Sequence, residues 1–593
     1  MGADEPGRRP QISAGSLSRA RVVRVRPDEP AIDKTFDYLV PDGFGDQVRV
    51  GDRVRVVLHG RRVGGWVVAT DVDPPAGVAL RPLAKWSGRG PTPELIELAE
   101  WAAWRWAGRP ASLLRTASPE RVVQGLPASA PGRPPVADLA VDEHLTAALS
   151  RARSPLLVRL PPAAPVDQVV LAAVTRGNAL VLCPTAAAAG LVGTRIRRAG
   201  VPTALHPRDW ALGAAGATVI GTRAAAWAPV GDLAAIVVID EHDEAHQQEQ
   251  APTWHARDVA LERARRAGIP CVMTSPCPSL EALDAARLLP PSRADERAGW
   301  PVVDVVDMRR QDPRTGLLPP PLVRLLRSDR RILCVLNRTG RARLLACKAC
   351  GELARCERCD AAVAQPGDEL VCARCGTVRP AVCTSCGASR LRALRQGVTR
   401  VRDEIAALVG ERVDEVTASS GAPDAPRSRV VVGTEATLHQ IDRADAVAFL
   451  DFDQELLAPR YRAAEQALGL LARAGRVVGG KAAGGRLVVQ THVPRHEVVQ
   501  AALHGDPSRV ASAERDQRTQ LRFPPVTAMA EVSGAAAEAF VGALAGPLGV
   551  EILGPSDGRW LVRASDHRTL CDALTATPRP AGRLRVAVDP PRV

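Results

Sequence analysis

Residues 154–184 read SPLLVRLPPAAPVDQVVLAAVTRGNALVLCP, and this stretch decides the fold. The apolar run SPLLVRL gives way to PVDQVVLAAVTRG, which has helical spacing, and then to a second apolar run, NALVLCP. Strands that are apolar along their whole length are buried on both faces, and strands of that kind alternating with helices form a parallel sheet covered on both sides.

The alternation runs outward from there. It continues through AAAAGLVGTRIRRAG (186–200), ATVIGT (217–222), AAIVVIDE (234–241), HARDVALERARRAG (255–268) and IPCVMTS (269–275). A second series starts at RRILCVL (330–336), is interrupted by a cysteine-rich segment, and resumes with RVVVGT (429–434), AVAFLDFD (446–453), the helix YRAAEQALGLLARA (461–474) and GRLVVQTHV (485–493). Upstream, RVVRVRP, TFDYLVP, VRVGDRVRVVL and GGWVVATDV alternate with Gly and Pro turns and predict a small β-domain. The helical segment PELIELAEWAAWRWAG (93–108) follows, its tryptophans read as core. The fold class expected is therefore multidomain α/β. A polar tail occupies 1–19, the β-domain with its helix 20–116, a Pro/Ala/Gly linker 117–140, the first lobe 141–300, and the second lobe 301–345 and 391–505. The cysteine module spans 346–390 and a C-terminal α+β domain 506–593.

The interrupting segment carries four C-x-x-C pairs: Cys347/Cys350, Cys356/Cys359, Cys372/Cys375 and Cys383/Cys386. Each such turn aims two thiolates at one centre, and two turns complete a closed tetrahedral zinc site, so two Zn²⁺ ions are expected. Twelve residues separate the inner pairs and five separate the first from the second, which favours a nested division. One ion would take Cys356, Cys359, Cys372 and Cys375, and the other Cys347, Cys350, Cys383 and Cys386; sequential pairing is the competitor. No signal peptide opens the sequence, which argues for a reducing cytoplasm and against disulfides. Cys183, Cys271, Cys277, Cys334 and Cys571 fall on apolar strands or helices and read as buried.

The chain exceeds the size at which single cores stop growing, and no apolar run is long enough to span a bilayer. With 78 Lys+Arg against 65 Asp+Glu, the balance favours a polyanionic partner. Lys34, Lys85, Lys348 and Lys481 are the only lysines; arginine supplies the rest.

Two tandem α/β lobes with a cysteine-rich insert in the second resemble the PriA family, the primosomal protein N′ family that restarts stalled replication forks. The resemblance is carried by TFDYLVPDG (35–43), VIGTRAAAWAP (219–229), VVIDEHD (237–243), LNR (336–338), the cysteine module, VVVGT (430–434), FLDFD (449–453), YRAAEQ (461–466), ARAGR (472–476), VVQTH (488–492) and the terminal VDP. It implies a superfamily-2 DNA helicase scaffold of two RecA-like lobes. It also implies branched or forked DNA as ligand, with primosome proteins, the replicative helicase-loading machinery and single-stranded DNA-binding protein as partners, in the cytoplasm at the nucleoid. Phe36, Asp37 and Tyr38 stand where the family caps a nascent 3′ end, an aspartate accepting the 3′-hydroxyl and an aromatic stacking on the base.

Several family features are missing. The phosphate-binding loop should follow SPLLVRL, but Pro161, Pro162, Ala163, Ala164, Pro165 and Val166 stand there. Proline offers no N–H to a phosphate, no lysine remains to reach the β/γ oxygens, and valine has no hydroxyl for Mg²⁺. No productive ATP/Mg²⁺ site is expected. Asp240 and Glu241 keep the acids that serve Mg²⁺ and the attacking water, in a box that reads Asp240-Glu241-His242-Asp243, and Arg473 and Arg476 match arginines that reach across to nucleotide. Gly475-x4-Gly480-Lys481 imitates a phosphate loop but lies between helix and strand in the wrong order. The family's winged helix has no room in 117–140. Three readings follow: a zinc-containing replication-restart platform without ATP-driven unwinding, an active 3′-5′ helicase with an unusual nucleotide site, and a protein–protein adaptor.

Overall fold

The computed structural model describes residues 21–29, 32–73, 77–128, 141–337, 345–393, 398–417, 426–544 and 549–592. The segment read as a tail (1–19), the final arginine of LNR and residues 129–140 of the linker lie outside them.

The N-terminal alternation folds into an antiparallel five-stranded sheet in the order Phe36–Leu39, Val22–Pro27, Arg61–Thr70, Arg53–Leu58, Lys85–Gly88. Period-two patterning sends Val23, Val25, Val54, Val56 and Val67 into one core, joined by Tyr38 and Trp86. Two helices, Pro93–Arg105 and Pro110–Ala117, each begin with proline at the first turn, where its missing N–H costs nothing. Trp106 is buried, and Trp104 donates from Nε1 to Asp572 of the C-terminal domain, so these tryptophans are packing and docking groups. The stretch after Ala117 is less free than a linker. Ser118 accepts from Trp66 Nε1 at 2.8 Å, Pro119 O from Arg53, and Val123 O from Arg89 N at 2.7 Å, which holds the chain against the sheet.

The stretch 154–184 forms strand Leu156–Arg159, helix Asp167–Val174 and strand Asn178–Leu182 of an all-parallel seven-stranded sheet. The order is Arg287–Leu289, Leu156–Arg159, Cys271–Ser275, Leu233–Val238, Asn178–Leu182, Thr218–Gly221, Thr203–Leu205. Leu180, Ile236 and Met273 are fully buried in one core layer and Val181, Val237 and Val272 in another, as strands covered on both faces require. The second lobe is an all-parallel six-stranded sheet in the order Val302–Asp307, Arg486–Thr491, Ala446–Phe449, Ile332–Val335, Val430–Gly433, Asp414–Val416. The cysteine module leaves this lobe after Ile332–Val335. It docks back through Ala362 N on Leu457 O at 2.7 Å and through Gln517 Nε2 on Cys359 O at 3.1 Å. An antiparallel four-stranded sheet with helix His567–Ala576 closes the C-terminus. Among the described residues no helix is long and apolar enough to cross a membrane. Cys183, Cys271, Cys277, Cys334 and Cys571 are buried and unpaired.

Candidate functional site

Asp240 and Glu241 follow strand Leu233–Val238 at the carboxyl edge of the first sheet, and helix Ala463–Val478 of the second lobe crosses directly over them. One stripe of that helix faces lobe one: Glu465, Gly469, Arg473 and Arg476, spaced four, four and three residues apart. Glu465 accepts from Leu280 N at 3.0 Å. Gly469 lies against His242, where an added Cβ would stand 3.1 Å from the imidazole. Arg473 pairs with Asp243, and Arg476 grips Asp240 with both terminal nitrogens.

These contacts change the chemistry that the acids can perform. Asp240 is 3 % exposed and sits at φ 53°, a left-handed conformation that Asp tolerates better than most residues. Burial would raise its pKa, but the Arg476 guanidinium outweighs that and holds it below the ordinary carboxylate value. The Arg476 guanidinium thus satisfies both carboxylate oxygens of Asp240. Glu241 is fully buried. It accepts from Ser279 N at 2.9 Å, Ser279 Oγ at 2.7 Å and Arg257 at 3.3 Å, and burial raises its pKa. His242 bonds Ser275 Oγ at 2.9 Å, and burial pushes its pKa down to about 4, so it is neutral at pH 7.

Pro161 and Pro162, in the segment where a phosphate loop would be expected, are closely packed. Pro162 O accepts from Arg476 Nε at 3.2 Å, and its ring lies so close to Gly475 that an added Cβ there would stand 3.1 Å from Pro162 Cβ. Pro161 packs on Gly299 and leaves no room for a side chain at that position. A cavity of about 260 Å³ remains between the lobes, lined by Asp243, Glu244, Glu435, Glu455 and Glu465 together with Arg460, Arg473 and Arg592. The Gly475–Gly480–Lys481 imitation is the end of helix Ala463–Val478 and the turn into strand Arg486–Thr491.

The eight cysteines of the module converge in two groups, Cys347/Cys350/Cys383/Cys386 and Cys356/Cys359/Cys372/Cys375, with the sulfurs of each group within 4.8 Å of one another. Cross-knuckle Sγ···Sγ distances are 3.6, 3.6, 3.5 and 3.5 Å. A disulfide would need about 2 Å, whereas four sulfurs at about 2.3 Å from one Zn²⁺ lie roughly 3.8 Å apart. Both tetrads fit a metal ion.

At the N-terminal sheet, Asp37 is bound in a forked pair by Arg24, at 2.8 and 3.1 Å. Tyr38 departs from the expectation that it could stack on a base. It is 4 % exposed inside the sheet core, its hydroxyl reaching Val57 O, because its place in the strand points it inward. Phe36 leans on the same core with part of its ring exposed.

Sequence reasoning missed a second junction. Arg518, fully buried on helix Ser508–Leu521, contacts Glu465 at 2.6 Å, Glu514 at 2.9 Å and Glu281 at 3.6 Å, while Arg462 also pairs with Glu281. Tyr461 stacks on Phe523 and receives both guanidiniums over its ring. This network joins both lobes and the C-terminal region; Glu514 and Arg518 form a local i, i+4 pair, but their meeting with Glu281 and with Tyr461, Arg462 and Glu465 joins segments too far apart in sequence for a local pattern to connect.

Residues 22–119 match the family model of the PriA 3′ DNA-binding domain (3′BD). The chain is 31% identical over 565 residues to the "Probable replication restart protein PriA" of Mycobacterium tuberculosis, covering 86% of this chain and 85% of that protein. The chain belongs to the PriA family. The Replication restart protein PriA of Bacillus subtilis is 27% identical over 345 residues, covering 53% of this chain and 43% of the relative. Among solved structures, S. cerevisiae Dbp5 bound to Gle1 and IP6 aligns with a TM-score of 0.37 at 10% identity, covering 73% of this chain and 97% of Dbp5. Within the PriA family this is a divergent member: the helicase frame and the 3′BD are present, and the motifs of the motor are degenerate.

Proposed function

We propose that this PriA-family chain binds forked DNA at stalled or abandoned replication forks and serves there as a platform for primosome proteins and the helicase-loading machinery, without ATP-driven unwinding. The observation that supports this reading is the Arg476–Asp240 pair beside Pro162, in which a guanidinium of the second lobe bonds both oxygens of the acid expected to serve Mg²⁺. Arg473 and Arg476, matched in sequence to nucleotide-reaching arginines, serve instead as ties between the lobes. Residues 20–116 supply the 3′-end contact. Asp37, oriented by Arg24, keeps lone pairs for a 3′-hydroxyl, and Phe36 is the aromatic left to stack. Two Zn²⁺ ions hold the two cysteine tetrads, and in closed four-thiolate sites they shape the module and perform no chemistry.

The test is a fork-binding and unwinding experiment on the full chain. Salt-dependent binding to forks over blunt duplex, unchanged by ATP and without strand separation, is the outcome expected. ATP-dependent strand separation that disappears in Asp240→Ala would establish the helicase reading in its place, and absence of salt-dependent fork binding would leave the adaptor reading.

A further inference from the structure

Across the paired strands Arg53–Leu58 and Lys85–Gly88, Arg55 stands directly opposite Lys85. Like charges facing each other across a sheet destabilise it, so the pair needs a physical reason. Both side chains are exposed, and neither has an ion-pair partner among the described residues. Arg53, two residues earlier and therefore on the same face, has one bond, to the carbonyl of Pro119 at 3.2 Å. On the other flank of Arg55 the partner is Gly64, so no side chain rises to fill the space. Gly64 shares the face of Arg55, and even an added Cβ there would meet nothing nearer than Asp28 Cβ at 3.9 Å, so the space above it is open. The result is a trough of about 200 Å³ walled by Arg53, Arg55, Lys85 and Ser87. Ser87 Oγ is buried there without a hydrogen-bond partner. Asp28, the acid on its rim, is already taken by Arg115.

Three cations and a spare hydroxyl donor with no acid of their own describe an anion site, and its size suits one or two phosphate groups. We propose that this trough holds backbone phosphates of the bound DNA, as a second contact distinct from Phe36 and Asp37. Those residues lie on the first strand of the sheet, whereas the trough lies on the last three. The proposal rests on the reading of this domain as the DNA-binding part, and it adds the electrostatic grip that a 3′-end contact alone lacks. Guanidinium groups suit phosphate because their planar fork bonds two oxygens at once.

The test compares the full chain with an Arg55→Gln/Lys85→Gln variant, titrating a forked DNA at several salt concentrations. Fork affinity is expected to fall about tenfold near physiological salt, and the slope of log K against log salt to shrink by about 1–2. Without DNA the variant should melt no lower than the parent, because a repulsive pair has been removed. An unchanged slope and affinity would overturn the trough. So would unchanged fork binding combined with lost affinity for a poly-glutamate peptide, which would assign the cations to an acidic protein partner. The preference for a 3′-hydroxyl over a 3′-phosphate end is read in parallel. If the parent shows none, the 3′-end reading falls, while a reduced salt slope in the variant still supports the trough.

Discussion

Asp240 stands just past the end of a strand with the Arg476 guanidinium as its partner. With Arg476 removed, its buried carboxylate would lose its counter-charge. Arg476→Ala should therefore destabilise the chain by about 3 kcal/mol in urea denaturation, while a charge-neutral change at exposed Arg400 should cost almost nothing. Three histidines of lobe one, His206, His242 and His255, give a second residue-scale prediction. Burial pushes both His206 and His242 down to about 4 from 6.5, and His255 well below 6.5. As pH falls below 6.5 the unfolded chain takes up these protons first, so stability is full above that value and declines between pH 6.5 and 4. His242→Asn should flatten the decline by about 3 kcal/mol, measured as urea midpoint against pH. That Pro161, Pro162 and Val166 offer a phosphate little to bind was legible in the residues themselves. What packs against them was not, because Arg476 lies more than three hundred positions away and its pairing with Asp240 exists only once the lobes have met.

At the scale of elements, period decided most of what could be read. Uniformly apolar runs fixed both parallel sheets, and the Cys spacing anticipated two tetrads. The stripe Glu465, Gly469, Arg473, Arg476 is also visible as a helical face, though its target is not. Tyr38 shows the limit in the opposite direction: Phe36 and Tyr38 share a strand face, and whether that face is core or binding surface depends on the sheet closing over it. The nested pairing makes a sharp metal prediction. A Cys347→Ser/Cys383→Ser variant removes ligands from one tetrad alone, so metal analysis of the purified chain should give about two zinc ions in the parent and about one in the variant. Sequential pairing would damage both sites and leave close to none.

At the scale of the molecule, the two lobes are held against each other at two places. Arg473 and Arg476 tie helix Ala463–Val478 to Asp243 and Asp240, and the Arg518 network ties both lobes to helix Ser508–Leu521. A helicase works by opening and closing such an interface with each nucleotide, whereas here the interface is closed by residues of the chain itself. Breaking a buried charge network costs several kcal/mol, so binding a nucleotide would first have to supply that energy. If the nucleotide site is already filled from within, calorimetric titration of the full chain with ATP and Mg²⁺ in the presence of forked DNA gives no saturable heat. Stoichiometric binding that Asp240→Ala abolishes would mean instead that the site is open to a nucleotide.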